Sequence, residues 1–220
     1  RHYASHSNEE YSRLLDWGLR LTVLLTLPAA VALALLATPL ITTLFYYGAF
    51  TAEDVWMTRQ ALIAYSFGLL GLIMVKVLAP GFYARQNIKT PVKIAVLTLA
   101  ATQVMNLIFI IPLQHAGLAL AIGLGACLNA GLLYYKLRTN DIYQPLPGWL
   151  KFMVKILVAV IVMGTTLWLS SGNDSLWLQM NAIDRALRLT FTVCIGAIAY
   201  FMTLWLLGFR LKDFSQLGTS

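Results

Sequence analysis

The chain has 220 residues, of which 59% are hydrophobic and only 11% charged, with a mean hydropathy of +0.73 and a net charge of +7. A soluble domain carries roughly 25% charged residues, so the composition argues against a soluble core and points to a membrane protein. The positive charges sit at the ends of apolar runs and form no continuous patch, which argues against a nucleic-acid partner.

The opening stretch, residues 1–18, is polar and mixed in charge, with no start methionine and no signal-peptide pattern. It reads as a cytoplasmic lead-in, and the chain as the C-terminal portion of something longer. Six apolar segments then approach the roughly 20 residues that a bilayer crossing needs: 19–45, 55–83, 92–111, 116–135, 150–169 and 186–209. No period-2 strand pattern separates them. The expected fold is an all-α integral membrane protein with six transmembrane helices. Four of them fall within 19–138, a linker occupies 139–149, a further pair lies in 150–209, and 210–220 forms a cytoplasmic tail.

Local signals mark the segment ends. Thr51 and Asp54 have the spacing of a capping box. Thr90 before Pro91 pairs a capping hydroxyl with a proline at the first helical position, and Asn181 and Asp184 suit the start of the sixth segment. QPLPG at 144–148 cannot continue a helix and makes a stiff link.

Basic residues sort by side. One side collects Arg1, Arg13 and Arg20, then Arg85, Lys89 and Lys93, then Lys136, Arg138, Lys151 and Lys155, and finally Arg210 and Lys212. The other holds Arg59, Arg185 and Arg188. Cytoplasmic flanks accumulate Lys and Arg, so both termini of the segment are expected in the cytoplasm.

Lys76 belongs to neither group. It lies within the apolar run GLIMVKVLAPGF of the second segment, nine residues before Arg85, or roughly 13 Å along a helix. A charge at that depth is costly and usually faces a cavity or a partner. Pro80 would displace the hydrogen bond to the Lys76 carbonyl and kink the helix there, with Gly81 adding pliancy. Two arrangements fit: a cavity-facing lysine at a hinge, or a helix that ends at Ala79 and a lysine that snorkels to the cytoplasmic face.

Gln103 and Asn106 share a face of the third segment, and Asn129 lies in the fourth. Amides here either glue helices together or bind a ligand, and glue is the commoner use. The fourth segment carries two rows of small residues, Gly117, Ala121 and Gly125, and Gly123, Cys127 and Gly131, which let neighbouring backbones approach closely. The fifth and sixth segments are almost wholly apolar, with Trp149, Trp168 and Trp177 placed for an aromatic belt. They form either an ordinary lipid-exposed pair or a surface that accepts a lipid tail. Cys127 and Cys194 lie in apolar runs without metal-ligand spacing. No catalytic set is present, since the three histidines stand outside the apolar runs. Neither an enzyme, a metal site nor a cofactor is expected.

Several stretches together resemble the MurJ (MviN) family of lipid II flippases. They are LPA at 27–29, YGAFT at 47–51, KVLAPGFYAR at 76–85, TPVK at 90–93 and AGLALA at 116–121. Their order and spacing over about 13–138 carry the likeness; residues 150–220 match only as two further hydrophobic helices. The resemblance implies a fourteen-helix transporter of the MOP superfamily, of which this chain would hold the last six. It implies alternating access in the bacterial inner membrane, with a cationic cavity between lobes for the headgroup. The candidates there are Lys76, Pro80, Gly81, Tyr83, Arg85, Gln103, Asn106 and Asn129. It also implies a groove on the C-terminal pair for the polyprenyl tail, with Gly164, Thr165, Trp168, Gly196 and Tyr200 as candidates. The implied partners are lipid II, the phospholipid bilayer and an N-terminal lobe. Some relatives bind a cation between the helices matching the third and fourth segments. The corresponding Thr102, Asn106, Leu118 and Ile122 include no carboxylate, which argues against a sodium site. The rival readings are another MOP exporter, for a polysaccharide lipid or a drug, and a non-transporting scaffold for cell-wall enzymes.

Overall fold

The computed structural model describes residues 2–209, with side chains from Glu9 onward. The tail expected at 210–220, with Arg210 and Lys212, lies outside the described residues, as do Arg1 and the side chains of His2 and His6. The elements are α1 (His2–Leu35), α2 (Ala37–Phe45), α3 (Ala52–Leu78), α4 (Pro80–Tyr83), α5 (Lys89–Thr139), α6 (Trp149–Ser171), α7 (Asp174–Gln179) and α8 (Ala182–Leu206). Among the described residues, five stretches are long and apolar enough to cross a bilayer: Glu9–Leu35, Ala52–Tyr83, Lys89–Thr139, Trp149–Ser171 and Ala182–Leu206.

The longest of these, α5, is folded back on itself. Gln114 has φ 47° and ψ −122°, outside any helical region, two residues after Pro112. Across the fold, Gly117 packs on the Phe109 carbonyl and Gly125 on the Thr102 side chain. The limbs 89–113 and 115–139 are therefore antiparallel, and each is long enough to cross a core about 30 Å thick.

Helical structure starts earlier than the apolar run. The polar lead-in is already helix because Tyr11, Leu15 and Leu19 recur on one face and pack against Phe82, Leu133 and Leu137. Between α1 and α2 the helix breaks at Leu36. Pro39 there has no N–H for the Leu35 carbonyl. The capping box before α3 is formed: the Thr51 amide donates to Asp54 Oδ2 (2.8 Å) and the Asp54 amide to Thr51 Oγ1 (3.2 Å). The expected Thr90 cap is not the one used. α5 starts at Lys89, and Asn87 Oδ1 accepts from the Thr90 amide (3.2 Å) and hydroxyl (3.1 Å). Asn is as good a cap as Thr and reaches the amide three residues on. Asn181 stands at the N-cap of α8, but its side chain makes no capping bond.

The two ends of the bundle are fixed by contacts. Tyr11 touches Gly81, and Ser12 and Arg20 reach the 144–147 segment, so these meet at one end. Arg59 pairs with Asp174, and Arg185 reaches Thr42, Tyr46 and Leu178, at the other. This is the grouping that the basic residues suggested.

Candidate functional site

α3 separates two different surfaces. Gly68 lies against Gly123 so closely that a Cβ on Gly68 would overlap the Gly123 backbone. Gly71 meets Cys127 in the same way. On its other flank α3 meets α1, where Val77 fills the space beside Gly18. Lys76 projects from neither contact. At 100° per residue it shares a face with Tyr65, Leu69, Leu72 and Tyr83, and it is exposed, with no ion pair or hydrogen bond among the described residues. It stands 17 residues beyond Arg59 (59 to 76), roughly 26 Å along the helix, two-thirds of the way to Arg85.

α3 ends two residues after Lys76, at Leu78, and α4 begins at Pro80. The Ala79 joint keeps helical dihedrals (φ −61°, ψ −41°), so the chain steps at this point rather than turning away. Pro80 and Tyr83 are exposed on the lysine's side. Gly81 has a packing role: it is buried, and a Cβ there would lie 2.7 Å from the Tyr11 hydroxyl. Arg85 is exposed in the loop that follows.

The amides are not gathered around Lys76. Gln103 is exposed on the first limb of α5, and its Oε1 accepts from Asn106 Nδ2 at 3.4 Å. Asn129 lies on the second limb, one turn beyond Gly125, the residue that faces Thr102. Its register places it toward the seam between the limbs. The Oδ1 atoms of Asn106 and Asn129 are buried without a partner among the described residues.

On the face of α3 opposite Lys76 lies a cavity of about 710 Å³. Leu70, Gly71 and Met74 line it from α3, Ala130, Gly131 and Tyr134 from α5, and Tyr143 with Pro145 to Trp149 from the connection into α6. Its walls are almost wholly apolar.

That connection is held by a cluster the sequence did not single out. Asp16 is 0% exposed. Its carboxylate accepts from Arg20 Nε (2.7 Å), the Tyr143 hydroxyl (2.6 Å), Trp149 Nε1 (2.8 Å) and the Leu146 amide (3.2 Å). Arg20 also donates to the Pro147 carbonyl (3.1 Å) and lies over the Trp149 ring at 5.2 Å. One turn earlier, Ser12 Oγ donates to the Gln144 carbonyl (3.1 Å) and accepts from its amide (2.9 Å). Ser12, Asp16 and Arg20 form one stripe at i, i+4 and i+8. Burial, with the Asp16 carboxylate beside it, pushes the Tyr143 phenol above the ordinary tyrosine range, so it stays a donor. Both Asp16 and Arg20 carried a sequence signal, as charges at the edge of an apolar run. Their partners are more than 120 residues away and could not be read.

A second, smaller groove of about 200 Å³ runs between α1, α6 and α8, lined by Leu24, Pro28, Met163, Leu167, Gly196 and Tyr200. Of the tail-groove candidates, Gly196 and Tyr200 are in it. Gly164 packs instead beside Val31 and Leu35. Thr165 is exposed, and Trp168, 69% exposed, stands on the outer surface. Pro28 removes the amide that would otherwise bond to the Leu24 carbonyl, and the Tyr200 hydroxyl donates to that carbonyl at 2.7 Å.

At the far end Arg185 is 5% exposed and donates to the carbonyls of Thr42, Tyr46 and Leu178, each at 3.2 Å. Its guanidinium also lies 4.8 Å from the Tyr46 ring centre. The first two carbonyls end α2, where the helix dipole is negative.

Comparison with known proteins places this geometry. The family described as lipid II flippase MurJ matches residues 1–206. The lipid II flippase MurJ of Burkholderia cenocepacia is 48% identical over 210 residues, covering 95% of this chain and 41% of that protein. A probable lipid II flippase MurJ of Haemophilus influenzae is 39% identical over 207 residues, covering 94% and 40%. A solved structure of lipid II flippase MurJ in an inward closed conformation has the same fold, with a TM-score of 0.74 at 24% identity, over 90% of this chain and 39% of that one. The chain thus spans about two fifths of the length of the relatives it matches.

Proposed function

The chain belongs to the lipid II flippase MurJ family, and from that premise we propose that it supplies the C-terminal portion of a transporter moving lipid II across the bacterial cytoplasmic membrane. The two limbs of α5 count as separate crossings, giving six, with both ends of the segment in the cytoplasm. α1 to α5 form part of one lobe, α6 and α8 are the additional C-terminal pair, and an N-terminal lobe completes the pathway. The lobes rock to alternate access around a cationic cavity, without covalent chemistry.

The observation that carries this reading is Lys76: a charged, exposed side chain, unpaired among the described residues, on an apolar helix and on the face that neither α1 nor α5 covers. A lysine in a bilayer is placed at a cost and marks a pathway. In this reading it meets the diphosphate of the cargo, and the step at Pro80 lets the helix end move. Tyr83, Arg85 and the Gln103–Asn106 pair border the same passage, Asn129 holds the α5 seam, and the groove at Gly196 and Tyr200 takes the lipid tail.

The test is depletion of the full-length protein followed by identification of the lipid-linked precursor that accumulates. Lipid II is expected; a polysaccharide-linked lipid assigns the chain to another exporter. Lys76→Glu is expected to abolish complementation and Lys76→Ala to weaken it, and normal growth with both removes the lysine from the pathway.

A further inference from the structure

We propose that α6 and α8 are locked to α1 and α2 as one rigid body, with Asp16 and Arg185 as the positioning residues of two polar clamps, so that the groove between α1, α6 and α8 keeps its width throughout the transport cycle. The functional consequence rests on the flippase reading; the lock itself does not.

The attachment is made at three levels. At the basic end, a fully buried carboxylate needs its charge met by donors. Asp16 finds three of its four in the Tyr143–Trp149 segment. That segment holds Pro145, Pro147 and a left-handed Gly148 (φ 94°), so it has few alternative conformations before it is gripped. The stripe of Ser12, Asp16 and Arg20 then fixes it at Gln144, Leu146, Pro147 and Trp149. Midway along, the carbonyl that Pro28 frees on α1 is taken by Tyr200 of α8, within an apolar core of Val23, Leu24, Phe152, Ile156 and Leu204. At the other end Arg185 of α8 joins the end of α2 to α7, and α7 is itself tied to α6 by Trp177 Nε1 donating to the Ser171 carbonyl at 3.0 Å. Among the described residues, every hydrogen bond that leaves α6 or α8 for another helix goes to this pair, to α1, to α2 or to α7. A hinge between the pair and α1 would have to break all three levels together. A groove of fixed width keeps hold of a hydrocarbon chain while the headgroup passes between moving lobes.

The experiment uses the full-length protein carrying this chain, with Cys127 and Cys194 replaced, reconstituted in lipid. Nitroxide pairs go on exposed positions, Leu14 with Trp205 at the basic end and Leu44 with Leu187 at the other. Distances are measured by electron resonance with and without lipid II. Each pair is expected to give one narrow distance that lipid II does not shift. Asp16→Ala should broaden the Leu14–Trp205 distribution, and Arg185→Ala the Leu44–Leu187 distribution. In the Asp16→Ala background a disulfide between Ser12→Cys and Gln144→Cys should restore both the narrow distribution and lipid II turnover, which a general folding defect would not allow. Should Asp16→Ala not accumulate, Tyr143→Phe serves at the same clamp and must broaden the same pair. A wild-type distance that shifts with substrate, or clamp variants that leave the distributions unchanged, overturns the lock. Narrow wild-type distances that the variants broaden, in a protein that moves no lipid II, uphold the lock and remove the flippase reading.

Discussion

α3 meets α5 by means opposite to those by which α6 and α8 meet α1 and α2. The first seam is made of absent side chains: Gly68 on Gly123 and Gly71 on Cys127 bring backbones into contact, and among the described residues the hydrogen bond across it is a weak thiol contact from Cys127 to the Phe67 carbonyl at 4.0 Å. The second adds to an apolar core polar groups that reach carbonyls and one carboxylate far away in sequence. In a bilayer, lipid is as apolar as leucine, so helices adhere through close packing or through hydrogen bonds. This chain uses one means for each seam. Close packing leaves a surface that can slide, whereas a buried carboxylate with four donors has one satisfactory arrangement.

The contrast can be broken most forcefully at Asp16. Asp16→Ala leaves the Arg20 guanidinium and three other donors without their acceptor, and the loss of one partner of a buried pair costs roughly 3–5 kcal/mol. A large drop in thermal unfolding temperature of the purified full-length protein is expected, and an unchanged one would place the seam's strength elsewhere. The glycine seam should fail nearly as badly. Gly68→Ala drives a methyl into the Gly123 backbone, which cannot yield as a side chain would, so the cost falls at or above the upper end of the 1–3 kcal/mol usual for overpacking. Tyr143→Phe removes one charge-assisted bond and should cost about 1.5–3 kcal/mol. The smallest effect sharpens the comparison: Gly131, in the same row as Gly123, faces open space in the cavity, and Gly131→Ala should be neutral or stabilise by up to about 1 kcal/mol through helix propensity. Equal effects at Gly68 and Gly131 would remove the distinction between seam and cavity.

The two seams also differ in how readily they are read from sequence. Small residues recurring every four positions announce close approach, and the rows at Gly117–Gly125 and Gly123–Gly131 do so. The structure divides them between two partners, the first limb of α5 and α3. The capping box at Thr51 and Asp54 is equally local and equally legible. The clamp was not legible, because Asp16 lies 127 residues from Tyr143 and 133 from Trp149, and no periodicity links an acid to a tyrosine across four helices. In sequence, Asp16 and Arg20 are ordinary charges at the edge of an apolar run. The proline-rich segment was legible as a stiff link but not as the wall of a cavity. The lead-in was legible only as a polar stretch, because its polarity hid the spacing of Tyr11, Leu15 and Leu19. Lys76 was singled out by depth alone, and its face became clear only once α1 and α5 had taken the other sides of α3.

Transport by the full-length protein is tested most directly by the sidedness of lipid II in membranes. A membrane-impermeant reagent that modifies the lipid II headgroup is added to cells expressing the wild-type protein, the Lys76→Glu variant, or neither. The account predicts that headgroup exposure on the outer face requires the wild-type protein and is lost with Lys76→Glu. Outer-face exposure that persists when the protein is depleted would contradict it.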